Sequence, residues 1–109
     1  MDYKLTAAHN TGKKKWHITL EGEIDIFNAA QFRDELNLLC AQNKSCLVID
    51  CAALAYIDST GLGSLVAVLK TVRSYGGTIT LANLRPSLQK LFRITNLDLS
   101  FIIGGDANV

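Results

Sequence analysis

Apolar and polar residues alternate in the first part of the chain. Every second residue of the segment 15–21 is apolar, which is the period of a strand that buries one face. Residues 3–8 form another candidate strand, and the Asn-Thr-Gly triplet at 10–12 between the two is typical of a turn. The pattern therefore predicts an antiparallel hairpin, and the Gly-Glu-Ile-Asp sequence at 22–25 ends its second strand.

Two segments in the middle of the chain have the spacing of amphipathic helices. The first begins after Asn28, whose side-chain oxygen can cap a helix with Gln31 in the capping-box position, and it stops near residues 42–44. The second covers residues 59–74 and has the clearest helical period in the sequence. We expect the glycines at 76–77 to end it, because glycine readily takes the left-handed conformation of a helix terminus.

A third helix is predicted to begin at Pro86, since proline suits the first turn of a helix, and to end near Asn96. Its inward-facing residues are expected to be Leu88, Leu91, Phe92 and Ile94. Residues 99–103 then predict an edge strand, and residues 104–109 read as a loose tail.

Two apolar runs predict the central strands. One covers residues 47–49 and is closed by Asp50, and the other covers residues 78–81. Because a helix separates them, the two strands should be parallel neighbours joined by a right-handed crossover. The expected fold is a single α/β domain over residues 1–109. It has a mixed β-sheet with an N-terminal antiparallel hairpin and parallel central strands, covered by three to four helices.

Composition narrows the classes of partner. The 109 residues are 49% hydrophobic and 19% charged, which suits one folded domain with its own core. The net charge of +1 gives no long-range field for a polyanion, so neither nucleic acid nor an acidic membrane is an expected partner. Neither a membrane span nor a secretion signal is recognisable, and we expect a cytoplasmic protein. The lysines at 13–15 are interpreted as a solvated hairpin tip, with a phosphate-binding patch as the alternative.

The three cysteines, Cys40, Cys46 and Cys51, fit no disulfide framework and no zinc site, because their number is odd and C-x-x-C spacing is absent. Cys40 and Cys51 have apolar neighbours and are expected to be small buried hydrophobes. We predict no metal and no cofactor.

The segment 55–63 lies between the central strand and the clearest helix, at the carboxyl end of a parallel strand, where α/β folds commonly place ligand sites. Either Asp58 or Ser59 can cap this helix. A phosphate on Ser59 would lie at the positive end of the helix dipole and would place about two negative charges beside Asp58. The residues alone leave two interpretations open: a binding switch, or a capping turn with no further role.

Several segments resemble the STAS domain of the anti-sigma factor antagonists, and the resemblance covers nearly the whole chain. The most specific segment is Asp-Ser-Thr-Gly-Leu-Gly at 58–63, and Gly-Glu-Ile-Asp at 22–25 is moderately specific. The remaining matches are Leu-Val-Ile-Asp at 47–50, Gly-Gly at 76–77 and Pro-Ser-Leu-Gln-Lys-Leu-Phe at 86–92.

The resemblance implies a bacterial partner switch that regulates transcription in sporulation or stress responses. The unphosphorylated antagonist binds an anti-sigma factor that is also a serine kinase, and so releases a sigma factor. The kinase then phosphorylates the serine that corresponds to Ser59, with Thr60 the less favoured acceptor. A metal-dependent serine phosphatase restores binding. The resemblance implies that the partner-binding residues are Asp25, Asp58, Ser59, Thr60, Gly61 and Leu62.

One departure from the family and two open interpretations remain. The family often carries a further helix after its last strand, whereas residues 104–109 have no helical pattern, so the partner surface could differ. Asp25 could also form an Asx turn that closes a strand, either alone or together with a partner-binding role. The chain could also be a STAS interaction module of another signalling or transport assembly, with no sigma-factor role and no phosphate on Ser59.

An enzyme is disfavoured by the residues themselves. The nucleophile-elbow pattern fails because Ile57 stands where glycine is required. His9 and His17 both lie on the predicted hairpin, away from the helix that follows Asp58, so no base is placed beside Ser59. The segment after Gly61 lacks the third glycine of a dinucleotide site, and the chain has no phosphate-loop Gly-Lys-Ser/Thr.

Overall fold

The computed structural model describes residues 2–104, and its strands and helices alternate in the order expected of an α/β domain. The strands are β1 (Tyr3–Asn10), β2 (Lys15–Ile24), β3 (Cys46–Ile57), β4 (Ile79–Ala82) and β5 (Ile102–Ile103). The helices are α1 (Ala29–Gln42), α2 (Ser59–Ser74) and α3 (Pro86–Ile94), followed by a 3-10 turn at Leu97–Leu99.

The five strands of the described residues form one sheet in the order β1-β2-β3-β4-β5. β1 is antiparallel to β2, and the other neighbouring pairs are parallel. This confirms the predicted mixed sheet with its N-terminal hairpin. The three α-helices found within residues 2–104 agree with the lower end of the predicted number.

The core lies between the sheet and the helices. Alternate residues of β2 point into it, and they meet the apolar faces of α1 and α2; the fully buried side chains include Ile18, Leu20, Phe32, Leu36, Ile49 and Val68. α3 extends the same core through Leu88 and Phe92, whose ring meets Phe101 edge-on. The helices are therefore held by burial of one apolar face each.

β3 is longer than predicted. Asp50 closes only the pairing with β4, whose last partner is Ala82, while β2 continues to pair with β3 as far as Ile57. Two register shifts in this pairing each give β3 one residue more than β2. These shifts interrupt the alternation of buried and exposed residues, so that Cys51, Leu54 and Ile57 are buried at intervals of three. For this reason the sequence of this part of β3 does not have the pattern of a strand.

The predicted beginnings and ends of the helices are mostly confirmed. α2 has the predicted bounds, α1 ends at Gln42, and Pro86 opens α3. Gly76 has a φ of +82° after α2, and Asn96 has a φ of +59° after α3, as expected of helix terminators. Of the predicted tail, residues 105–109 lie outside the part of the chain that the structure describes.

Three local predictions were wrong. Asn28 precedes α1, but its side chain accepts from the backbone N–H of Asp25 and donates to the carbonyl of Glu23, so it ties down the preceding turn instead of capping the helix. Ile94 is exposed because α3 ends there. The edge strand is only Ile102–Ile103, since residues 97–99 wind into the 3-10 turn.

The cysteines are free thiols, and two of them are buried as predicted. Burial raises the pKa of Cys51 to about 12, with a smaller contribution from the charge of Asp50, and burial also raises the pKa of Cys40. Cys46 is partly exposed, and its sulfur accepts from the backbone N–H and the hydroxyl of Thr78. No helix among residues 2–104 is long and apolar enough to cross a membrane.

Gly22 should contribute to the stability of the fold. Its φ is +96°, and an added Cβ would run into the carbonyl oxygen of Asp2. We expect Gly22→Ala to lower the free energy of unfolding by about 1 to 3 kcal/mol, because it combines a disfavoured conformation with a steric clash. Gly63→Ala is the matched control, since an added Cβ on this helical glycine meets open space and should stabilise by about 0.5 to 1 kcal/mol. Urea denaturation measures both; equal stability of Gly22→Ala and the wild type would contradict the prediction.

The thiols should differ in reactivity. With brief iodoacetamide treatment of the folded protein near neutral pH, we expect the label on Cys46, while Cys40 and Cys51 react only after unfolding in urea. The pKa of Cys51 is lower in the unfolded chain than in the folded one. Burial of the protonated thiol therefore contributes its full stabilisation at neutral pH, and this stabilisation is lost as the pH rises toward 12. Peptide mapping by mass spectrometry checks the labelling, and rapid labelling of native Cys51 would contradict it.

Candidate functional site

The candidate site forms where β2 and β3 end side by side. Ile24 pairs with Ile57, and the next residues in the two strands are Asp25 and Asp58. The backbone N–H of Asp58 donates to the carbonyl of Ile24 at 3.1 Å, which extends the pairing by one step. The two predicted acidic residues are thus brought to the same edge of the sheet, although 33 positions separate them in the sequence.

Asp58 joins two elements with one carboxylate. Its Oδ1 accepts from the backbone N–H of Gly61 at 2.9 Å and so caps α2. Its Oδ2 accepts from the backbone N–H of Ile26 at 3.1 Å and so holds the loop between β2 and α1. Of the two capping residues that the sequence left open, the structure selects Asp58, which leaves Ser59 as the first residue of α2.

Asp25 forms an Asx turn with the residues that follow it. It is 8% exposed, and its Oδ1 accepts from the backbone N–H groups of Phe27 at 2.9 Å and Asn28 at 3.3 Å. Its carbonyl accepts from the N–H of Ala29 at 2.8 Å, so the same residue opens α1. The carboxylate therefore satisfies local backbone donors, and its structural role is established by these bonds.

Ser59 and Thr60 are the exposed members of the predicted set. Both lie in the first turn of α2, where backbone N–H groups have no partner within the helix and the helix dipole favours negative charge. A phosphate attached to Ser59 would lie next to the Asp58 carboxylate while remaining at a helix end that tolerates anions. This position suits a modification that changes a surface without unfolding the domain.

Gly61 and Leu62 are buried, in contrast to the two residues before them. A Cβ on Gly61 would come within 2.6 Å of Cγ1 of Ile57 and 2.9 Å of Cγ2 of Ile24, so only glycine lets α2 approach the sheet this closely. Leu62 is 5% exposed and belongs to the core. Their burial gives these two predicted partner-binding residues a supporting role: they fix the height of Ser59 and Thr60 above the sheet.

Two apolar residues at this site were not predicted from the sequence. Ile26 and Phe27 form the tip of the loop between β2 and α1, and they are 66% and 91% exposed. An apolar pair directly after a turn-forming aspartate, outside any helical or strand period, was the available signal.

The two histidines are placed far along the strands from Ser59. His9 bonds to the Ser45 hydroxyl at 2.8 Å and meets the Trp16 ring edge-on, near the hairpin turn. His17 lies within β2, paired with Ala8 and Val48. Within residues 2–104, no group of three or more potential metal-ligating side chains is found.

Comparison with known proteins identifies the family of the chain. The sequence model of the STAS domain matches residues 9–107. The anti-sigma-B factor antagonist of Bacillus subtilis is 40% identical over 80 residues, which are 73% of this chain and 72% of that protein.

Solved structures share the fold. A Thermotoga maritima protein described as a candidate anti-sigma factor antagonist superimposes with a TM-score of 0.78 at 23% identity, over 94% of this chain and 86% of that one. The Bacillus cell fate determinant SpoIIAA in its phosphorylated form gives a TM-score of 0.69 at 19% identity, over 98% of this chain and 95% of that one. The family match, the sequence relative and the shared fold lead to one conclusion: the chain belongs to the STAS domain family, among its anti-sigma factor antagonists.

Proposed function

We propose that this chain is a cytoplasmic, single-domain anti-sigma factor antagonist whose binding is controlled by phosphorylation of Ser59. The unphosphorylated form binds an anti-sigma factor that is also a serine kinase, and a sigma factor is thereby released. The chain is the kinase's substrate and performs no catalysis itself. A metal-dependent serine phosphatase returns it to the binding form.

The observation that carries the proposal is the placement of Ser59. Its side chain is exposed in the first turn of α2, directly after the Asp58 carboxylate and on the sheet edge that also carries Asp25. Support also comes from the sequence relative in Bacillus subtilis, which is named for antagonism of an anti-sigma factor, and from a fold neighbour whose structure is that of a phosphorylated form.

The phosphate would act by charge. A phosphoserine adds about −1.5 to −2 charges at neutral pH, and here they would stand beside the carboxylate of Asp58. A partner surface that accommodates a neutral hydroxyl would then have to desolvate or neutralise three clustered negative charges. α2 itself tolerates the group, because its N-terminal N–H groups favour an anion. Phosphorylation therefore lowers affinity while the fold persists.

The first test is the site of phosphorylation. Incubated with Mg-ATP and each anti-sigma factor serine kinase encoded in the same genome, the wild type should gain one phosphate by intact-mass spectrometry. Ser59→Ala should gain none, and Ser87→Ala, which changes another exposed serine in the first turn of a helix, should behave as the wild type. No phosphate on the wild type, or a phosphate on Thr60 alone, would contradict the switch and favour a STAS module with another role.

The second test is the effect of charge on affinity. We expect Ser59→Asp to weaken binding to the anti-sigma factor at least tenfold, or about 1.4 kcal/mol, because the added carboxylate lies beside Asp58. Ser87→Asp adds the same charge at the start of α3 and should leave the affinity unchanged. Isothermal titration calorimetry measures both variants, and superimposable titration curves for Ser59→Asp and wild type would count against the proposal.

A further inference from the structure

The loop between β2 and α1 presents two large apolar side chains to solvent. Phe27 is 91% exposed and Ile26 is 66% exposed, and Phe27 is the most exposed large hydrophobic residue among those described. An exposed aromatic ring beside a second apolar residue contributes nothing to the core that lies beneath it. Such residues are enriched at the centres of protein interfaces.

This apolar tip is held rigidly. The N–H of Phe27 donates to Oδ1 of Asp25 at 2.9 Å, and the N–H of Ile26 donates to Oδ2 of Asp58 at 3.1 Å. Asn28, next in the chain, ties the same loop to the carbonyl of Glu23. A partner that binds the tip therefore does not have to order its backbone, which lowers the entropic cost of association.

The tip is fixed relative to Ser59. The same carboxylate that accepts from Ile26 also caps the helix that Ser59 begins. Ile26 of the tip is hydrogen-bonded to Asp58, and Ser59 is the next residue after Asp58. A partner that binds Phe27 would therefore meet Ser59 at a defined position. Repulsion between a phosphate on Ser59 and the Asp58 carboxylate would act on both of its hydrogen bonds, the one to Ile26 in the loop and the one to Gly61 in α2.

The charge around the tip limits the kind of partner. Glu23 and Asp25 precede it in the chain and the Asp58 carboxylate bonds to it, whereas residues 16–32 and 45–69 contain no lysine and no arginine. A surface that complements this one has an apolar pocket with cationic side chains on its rim. A second copy of the chain docking tip to tip would instead bring like charges together, which disfavours self-association through this loop.

We propose that Phe27, assisted by Ile26, is the apolar anchor that inserts into a pocket with a lysine or arginine rim on the anti-sigma factor. This inference rests on the proposed function and adds to it a specificity-determining residue outside the phosphorylation motif. The anchor supplies affinity, and Ser59 supplies the control over that affinity.

The test compares variants at exposed apolar positions. Phe27→Ala should weaken binding of the unphosphorylated chain to the anti-sigma factor at least tenfold in calorimetry, and Phe27→Leu should weaken it less because an apolar side chain is kept. Leu99→Ala is the matched control, since Leu99 is 88% exposed on the 3-10 turn after α3. Urea denaturation should show wild-type stability for all three variants, because none of the side chains is in the core.

Phosphorylation of Ser59 gives an independent readout. Phe27→Ala should raise the KM of the kinase for this chain with little change in kcat, because the anchor holds the substrate and does not touch the transferred phosphate. Ser59→Ala, in contrast, removes the phosphate acceptor, so the kinase should transfer no phosphate to that variant at any concentration of it.

The outcomes separate the two proposals. Wild-type affinity of Phe27→Ala for an anti-sigma factor that the wild type binds would overturn the anchor and leave the proposed function intact. The same holds if sedimentation shows a wild-type dimer that Phe27→Ala dissociates, without any loss of anti-sigma factor binding. If the wild type binds no anti-sigma factor, the proposed function is wrong, and the anchor is overturned with it.

Discussion

The parallel pairing of β2 with β3 is the constraint on which the rest of the structure depends. It runs from Lys15 opposite Cys46 to Ile24 opposite Ile57, and it joins the hairpin to the crossover unit. Because it continues beyond the end of β4, it carries the start of α2 to the place where β2 ends and α1 is about to begin. The candidate site is a product of this pairing: two helix starts and one loop meet at a single edge of the sheet.

Much of the fold could be predicted from the sequence, because those elements have undisturbed periods. The bounds of α2 follow from its apolar spacing and from the glycines after it, and the hairpin follows from alternation around a turn. The placement of Ser59 at the start of α2 followed from the same reasoning. In these segments, local preference and tertiary packing favour the same structure.

The remaining features depend on contacts that no local pattern encodes. The two extra residues in β3 are absorbed opposite β2, so the strand is longer than its alternation indicates. The Asn28 amide bonds backward because Asp25 and Glu23 offer partners there, which outweighs its preference for a cap. Exposure is also not encoded locally. Ile94 and Phe27 are apolar residues of the kind that usually lie in a core, but Ile94 is exposed because α3 ends there and Phe27 because it lies at the tip of a loop.

The close approach of Gly61 to Ile24 and Ile57 means that part of the motif around Ser59 is required for packing, independently of any phosphorylation. Gly61 and the capping oxygen of Asp58 are required for α2 to sit on the sheet, whether or not a kinase exists. An alanine at position 59 would leave both requirements met, so the fold does not depend on the serine of the proposed switch. A relative without a serine at this position would keep the fold and most of the motif, so likeness to the family does not by itself separate a chain that can be phosphorylated here from one that cannot.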